Sequence, residues 1–328
     1  MISVFRGLYF RLSHRSFFTK ADVSGRIMIK NPFPKNIKHV AIVSLAGKPK
    51  REAVSSTCKL LKGFGIRTTV MPNVFAPEQG EKLPSRCELR ISDFNRALKD
   101  NSVDLILSSR GGYGSAQILD KVDWKLLKKR NLPVLGYSDI TAFHLAMFAK
   151  KAGIAISSPM ASELPRALRH PLTWDSLHYA LSPVSGKIFP LPGKFNLNII
   201  KGGKAAGKII PVNLTVLTTI LGTQYVPDFK GAILLIEDLN EPIYKLDRYL
   251  THLRLAGILK DISALLLGNF RRCGNERERM KIFARFAEEV TSPVISGIPF
   301  GHIKSRLCLR FGSKVVIDND KFFASQKI

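Results

Sequence analysis

Three side chains in this sequence have the types that acyl-transfer chemistry needs. Ser138 lies in Gly136-Tyr137-Ser138-Asp139-Ile140-Thr141. The apolar run Leu132-Pro133-Val134-Leu135 precedes it, and apolar positions Ile140, Phe143, Leu145, Met147 and Phe148 follow. The first reads as a short buried strand, the second as a helix. A serine at such a turn can stand exposed above a sheet, as a nucleophile elbow does, beside a helix N-terminus that favours negative charge. The second glycine of G-x-S-x-G is missing, because Ile140 holds its place. Capping the helix is the other common use of a serine here. Glu237 and Asp238 close the apolar run Ile233-Leu234-Leu235-Ile236. A carboxylate there needs a partner or solvent, and a cap or an ion pair would also serve. His302 ends Gly297-Ile298-Pro299-Phe300-Gly301-His302, a loop stiffened by glycine and proline. The other histidines are less well placed, since His144 and His252 fall inside expected helices and His14 and His39 near the start.

Together these residues give serine, glutamate and histidine in chain order, each at the end of an expected strand. That is a nucleophile, an orienting carboxylate and a general base. A fourth stretch, Ser108-Ser109-Arg110-Gly111-Gly112-Tyr113-Gly114, has three glycines in four residues. Such a loop can turn backbone N–H groups toward an anion, and so supply an oxyanion hole. An ordinary strand-to-helix turn fits it too. It has neither the Walker lysine pattern nor the dinucleotide G-x-G-x-x-G spacing. Arg110, which opens the loop, has the planar fork suited to a substrate carboxylate.

The elements that must position these residues alternate. Strands are expected at Val40–Ser44, Gly65–Val70, Val103–Leu107, Leu132–Leu135 and Gly153–Pro159, with helices at Arg51–Leu61, Leu89–Leu98 and Ile140–Lys150. Alternation of this kind implies a doubly wound, mostly parallel α/β sheet, whose sites form beyond the carboxyl ends of the strands. The stretch 181–207 is rich in glycine, proline and lysine and reads as a linker with short β pieces at Ile188-Phe189 and Asn198–Ile200. A smaller α/β set follows. Its strands are expected at Ile233–Ile236, Ala264–Gly268 and Pro293–Ile295, its helices at Tyr244–Leu259 and Glu276–Val290, and its last strand at Lys314–Asp318. The division is thus 1–30 as an extension, 31–180 as the serine-bearing domain, 181–207 as linker, and 208–328 as the domain carrying Glu237 and His302.

The chain has 328 residues, 45% hydrophobic and 23% charged, as in globular proteins. No apolar run approaches the roughly 20 residues that span a membrane. Lysine and arginine number 51 against 25 acidic residues, a formal charge of +26. The basic residues are spread along the chain, which favours a general bias over a nucleic-acid footprint. Cys58, Cys87, Cys273 and Cys308 lie far apart without a C-x-x-C, as free thiols of a reducing, cytoplasmic setting would. Met1–Lys20 carries Arg6, Arg11, Arg15 and Lys20 and no acid. It resembles an organellar transit peptide or a basic extension and is expected to lie outside the fold.

The ordered motifs resemble those of the LD-carboxypeptidase family of serine peptidases, which includes muramoyltetrapeptide carboxypeptidases and microcin C immunity peptidases. They are Arg110–Gly114, Gly136–Ala142, Leu235–Asp238 with Tyr244–Arg248, Leu253–Gly257 and Gly297–His302, and the resemblance runs from about Ile37 to Ile317. It implies Ser138 as nucleophile, Glu237 as the acid that orients the histidine, and His302 as general base and then acid. It also implies an oxyanion hole from the N–H groups of Gly112 and Asp139. Arg110 and Gly111 are expected at the substrate from their place in the loop, and bracing that loop through an internal ion pair is the other role open to Arg110. The family's site lies between two domains, its members are often dimers, and it needs no metal or cofactor. The implied substrate is a murein tetrapeptide that loses a C-terminal D-alanine. Two departures bear on that substrate. Ser157-Ser158 stands where many members have His-Gly, and Pro211-Val212 where members usually have Gly-Gly. A peptidyl- or aminoacyl-nucleotide amidase and a polyanion-binding protein on the same fold are the alternatives.

Overall fold

Short β-branched runs separated by amphipathic segments fold here into two sheets joined through buried helices. The computed structural model describes residues 29–77, 86–182, 188–190, 196–318 and 321–325. The basic extension expected over 1–30 lies almost wholly outside the described residues. By contacts the chain divides into Met1–Asn31 and Pro32–Ile328, and both sheets belong to the second unit.

The first sheet is built from β1 (His39–Val43), β2 (Arg67–Val70), β3 (Leu105–Ser108), β4 (Pro133–Gly136) and β5 (Ile154–Ser157). All five run parallel, as the alternation implied. Between them lie α1 (Arg51–Gly63), α2 (Arg86–Lys99), a 3-10 turn at Ser115–Lys121, α3 (Trp124–Arg130) and α4 (Thr141–Lys150). The helices α5 (Leu164–Ala167) and α6 (Pro171–Leu181) follow. The second sheet takes in β6 (Ile188–Pro190), β7 (Asn198–Lys201), β8 (Lys204–Asn213), β9 (Ile233–Leu239), β10 (Ala264–Arg271) and β11 (Val294–Ser296). Its helices are α7 (Leu214–Ile220), α8 (Ile243–Leu255), α9 (Ile258–Asp261) and α10 (Glu276–Glu289). Then come β12 (Leu309–Arg310), β13 (Lys314–Asp318) and β14 (Lys321–Ser325).

The sheet orders are β12-β5-β4-β3-β1-β2 and β6-β14-β13-β8-β9-β10-β11-β7. In the second sheet β8, β9, β10 and β11 are parallel, and the flanking pairs are antiparallel. The two-residue β12 comes from late in the chain, yet it pairs antiparallel with β5 of the first sheet. A continuous core reaches from Phe94 and Phe143 under the first sheet to Leu217, Leu250 and Leu267 in the second. Helix α4 is buried on nearly every side, because it lies between the first sheet and α7.

Three expectations need correction. Lys314–Asp318 is not the last strand, since Lys321–Ser325 pairs with it. The helix read over Tyr244–Leu259 ends at Leu255, where Gly257 at φ 78° starts the short α9. Strand β8 begins at Lys204, inside the stretch read as linker, because Lys204–Lys208 finds its partner in the distant β13. Only tertiary pairing reveals a strand whose exposed half is lysine, alanine and glycine.

Candidate active site

Ser138 stands where β4 ends and a single 3-10 turn, Ser138–Ile140, leads into α4. Its φ is +63°, a conformation that costs a non-glycine residue energy and that persists only when the surroundings enforce it. Those surroundings are visible. A Cβ on Gly136 would come within 2.8 Å of Ile140, so only glycine lets the turn close. A Cβ on Gly111 would lie 3.1 Å from the Ser138 Cβ and 3.2 Å from its Oγ, so the glycine loop packs directly against the serine. Ser138 caps no helix: the side-chain cap is absent, and its hydroxyl reaches another loop instead.

That loop carries His302. The Ser138 hydroxyl donates to His302 Nε2 at 3.0 Å, and His302 Nδ1–H donates to Glu237 Oε2 at 2.7 Å. The tautomer follows from the network, because a carboxylate accepts only. Gly301, at φ +106°, lies so close that a Cβ would meet Glu237 Oε2 at 2.5 Å. Glu237 is fully buried within β9, and its second oxygen accepts from Asn213 Nδ2 at 3.1 Å. The same Asn213 amide donates to Asp238 Oδ1 at 3.0 Å. Asp238 also accepts from Thr215 N, Thr215 Oγ1 and Leu239 N, yet burial pushes its pKa up to about 6. Asn213 further caps α7 by accepting from Val216 N, while its own N–H donates to Thr141 Oγ1 of α4. One asparagine thus fixes both carboxylates and ties the second sheet to the helix behind Ser138.

The loop after β3 borders the serine. Its conformation depends on glycine at 112 and 114, where φ is +122° and +116°. Behind it, Arg90 Nη2 donates to Tyr113 O at 3.1 Å and occupies the space a Gly114 Cβ would fill. Asp139 accepts from Ser115 N at 2.8 Å, and its burial raises the carboxyl above its ordinary range. Arg110 is exposed on the rim and donates to Lys48 O at 3.1 Å. The structure therefore brings Ser138, Glu237, His302, Gly111 and Arg110's loop to one place.

Sequence reasoning missed Asn213 as a site residue, although an asparagine between an apolar run and a helix signals a cap. It also missed Arg306 and Glu163, which no local pattern marks. A hydroxyl, an imidazole and a buried carboxylate bonded in series can activate an oxygen nucleophile for attack on a carbonyl. Among the described residues no group of His, Cys, Asp and Glu is placed to hold a metal ion. No described helix is long and apolar enough to cross a membrane.

A serine bonded to a histidine and a buried carboxylate at a strand-to-helix elbow of an α/β fold is the arrangement that serine hydrolases carry on many unrelated scaffolds. Comparison with known proteins narrows it. Residues 40–158 match the LD-carboxypeptidase N-terminal domain and residues 206–317 the LD-carboxypeptidase C-terminal domain. A putative carboxypeptidase of Synechocystis is 34% identical over 241 residues, covering 70% of this chain and 75% of the relative. The murein tetrapeptide carboxypeptidase of Pseudomonas aeruginosa is 26% identical over 292 residues, covering 86% and 94%. A solved MccF-like protein from Bacillus anthracis superposes with a TM-score of 0.80 at 22% identity, covering 90% of this chain and 98% of that one. The chain belongs to the LD-carboxypeptidase family.

Proposed function

We propose that this protein is a serine carboxypeptidase that hydrolyses an L,D amide bond and releases a C-terminal D-amino acid, D-alanine, from murein tetrapeptides. The observation that carries the reading is the unbroken row from Ser138 through His302 to Glu237. In this reading Ser138 Oγ attacks the scissile carbonyl while His302 Nε2 takes its proton. Glu237 holds Nδ1–H and stabilises the imidazolium that forms. The carbonyl oxygen becomes an oxyanion facing the N–H groups of Gly112 and Asp139. Collapse breaks the C–N bond, and the departing amine takes the proton from His302. Water, deprotonated by His302, then hydrolyses the acyl-enzyme and frees Ser138.

Arg110 stands on the rim with an exposed guanidinium and suits the substrate's terminal carboxylate, with Gly111 forming the floor beside the serine. No metal or cofactor enters these steps. The likeness to a murein tetrapeptide carboxypeptidase supports the substrate, the free thiols suit a reducing, cytoplasmic setting, and a homodimer is what the family resemblance implies.

The test is mass spectrometry of the purified protein incubated with a murein tetrapeptide. The expected product has lost one alanine, and Ser138→Ala lowers turnover by several powers of ten. Unchanged turnover in Ser138→Ala overturns the mechanism. A parallel incubation with a peptidyl-nucleotide reads the substrate class. Higher kcat/KM on that conjugate reassigns the substrate and leaves the serine mechanism standing.

A further inference from the structure

Arg306 is a buried cation that the reaction steps above do not use. Its relative exposure is 4%. Its guanidinium lies over the Tyr137 ring, 4.0 Å from the centroid, and the same ring packs against His302 with centroids 4.9 Å apart. Its Nη1 donates to the carbonyls of Gly301 and Ile303, the two neighbours of His302, at 3.4 and 3.2 Å. Its Nη2 pairs with Glu163, which stands in the loop after β5. The Arg306 backbone is fixed as well, since its N–H donates to Thr173 Oγ1 and its carbonyl accepts from the Thr173 hydroxyl. One side chain therefore grips three loops: the one that carries the histidine, the one that carries the serine, and the one that carries Glu163.

We propose that Arg306 is a positioning residue that, with Tyr137 as its platform and Glu163 as its counter-charge, holds His302 in register with Ser138 and balances the charge around the imidazole. This rests on the roles proposed above for Ser138 and His302. A long-stemmed cation is an improbable space-filler in a core, because burying it unpaired is costly. Here both Nη groups are matched, Nη2 by a carboxylate and Nη1 by two carbonyls, and the ring face lies against the fork, while Nε is buried without a partner among the described residues. Such a clamp suits a histidine that must gain and lose a proton without moving, since small misplacements of reacting groups lower rates about a hundredfold.

The charges facing His302 decide the sign of the test. They are Glu237 from β9 and Arg306 on its own loop, with Glu163 behind Arg306; Ser138 and Tyr137 are neutral, and burial holds the Tyr137 phenol well above its ordinary range. Lys304 on the same loop is exposed. Glu163→Gln leaves the Arg306 charge unbalanced, which disfavours a second cation and moves His302 titration to lower pH. Arg306→Met leaves Glu163 unbalanced and moves it to higher pH. The double variant returns it toward the wild-type position.

The experiment is an NMR titration of the His302 imidazole in the full chain, assigned with His302→Gln, alongside kcat/KM against pH on a murein tetrapeptide. Opposite shifts of the two single variants, with kcat reduced tenfold or more in Arg306→Lys at unchanged KM, support the proposal. Lysine keeps the charge but lacks the fork and the flat stacking face. Shifts that are absent or of the same sign overturn it, as does an Arg306→Lys protein with wild-type kcat. Glu163→Gln, which keeps its shape, reads the same electrostatics should Arg306→Met fail to fold. A wild-type enzyme inactive on the tetrapeptide defeats the functional reading alone, because the imidazole titration does not depend on turnover.

Discussion

Gly301 shows how tightly single residues constrain this site. Its φ of +106° excludes most side chains, and a Cβ would press into Glu237 at 2.5–2.8 Å. Gly301→Ala therefore has to move the histidine, the carboxylate or both. The expected outcome is a fall in kcat of about a hundredfold, with a lowered melting temperature. Gly222→Ala is the control: φ there is +85°, but nothing lies within 4 Å of the added carbon. It should cost about 1–2 kcal/mol of stability and no activity. Equal activity losses in the two variants would mean that close packing at Glu237 is irrelevant. At this scale glycine and proline mark Ser138 and His302 in the sequence and the end of an apolar run marks Glu237, and the structure brings the three into one hydrogen-bonded row. The sequence was silent about Asn213, whose two carboxylate bonds come from strands β8 and β9 meeting in register, Asn213 opposite Glu237.

Helix α4 carries a consequence for acid stability. His144 is buried at its centre, its Nε2–H donating to Val134 O at 3.0 Å and its ring edge-on to Phe311. Burial pushes its pKa down to about 3. Below the ordinary histidine value near 6.5 the unfolded chain takes up a proton that the folded one refuses. The stability His144 contributes is thus full above 6.5 and lost as pH falls toward 3. Asp238 behaves oppositely. Its folded pKa of about 6 means that the folded protein keeps a proton that the unfolded chain releases above about 4, so stability falls as pH rises through 6. Denaturant midpoints between pH 4 and 7 should show that His144→Leu removes a loss of stability as pH falls below 6.5, and that Asp238→Asn removes a loss as pH rises from about 4 to 6. Each effect is on the order of a few kcal/mol. Curves parallel to wild type in both variants would refute the assignment. The elements themselves were legible where apolar periodicity is strong, as in β1, β3 and α2. Strands β12 and β14 were not, because their pairing is set by partners far away in the chain and not by their own composition.

At the scale of the whole molecule the formal charge of +26 invites a polyanion. The described surface offers a more modest account. Arg90 and Arg306 are consumed inside the protein, and Arg130 braces the carbonyls of Leu98, Asp100 and Val103. Other basic residues meet acids at the surface, as Arg254 meets Glu289 and Lys245 meets Glu241. Titration with double-stranded DNA at low and at physiological salt should give binding that is weak and disappears as salt rises, with peptide hydrolysis unaffected. Tight binding at physiological salt that blocks hydrolysis would make nucleic acid a genuine partner.

The path of the chain has a further consequence, for the order of events during synthesis. Ser138, the proposed nucleophile, is made early, and its proposed base His302 follows 164 residues later on a loop held by Arg306 and followed by β12. A growing chain therefore presents Ser138 before His302 exists, and the open edge of β5 waits for a strand not yet translated. On the proposed mechanism, hydrolytic power needs the late segment to dock. If the proposed roles hold, a ribosome-bound fragment ending before His302 is a scaffold without that chemistry.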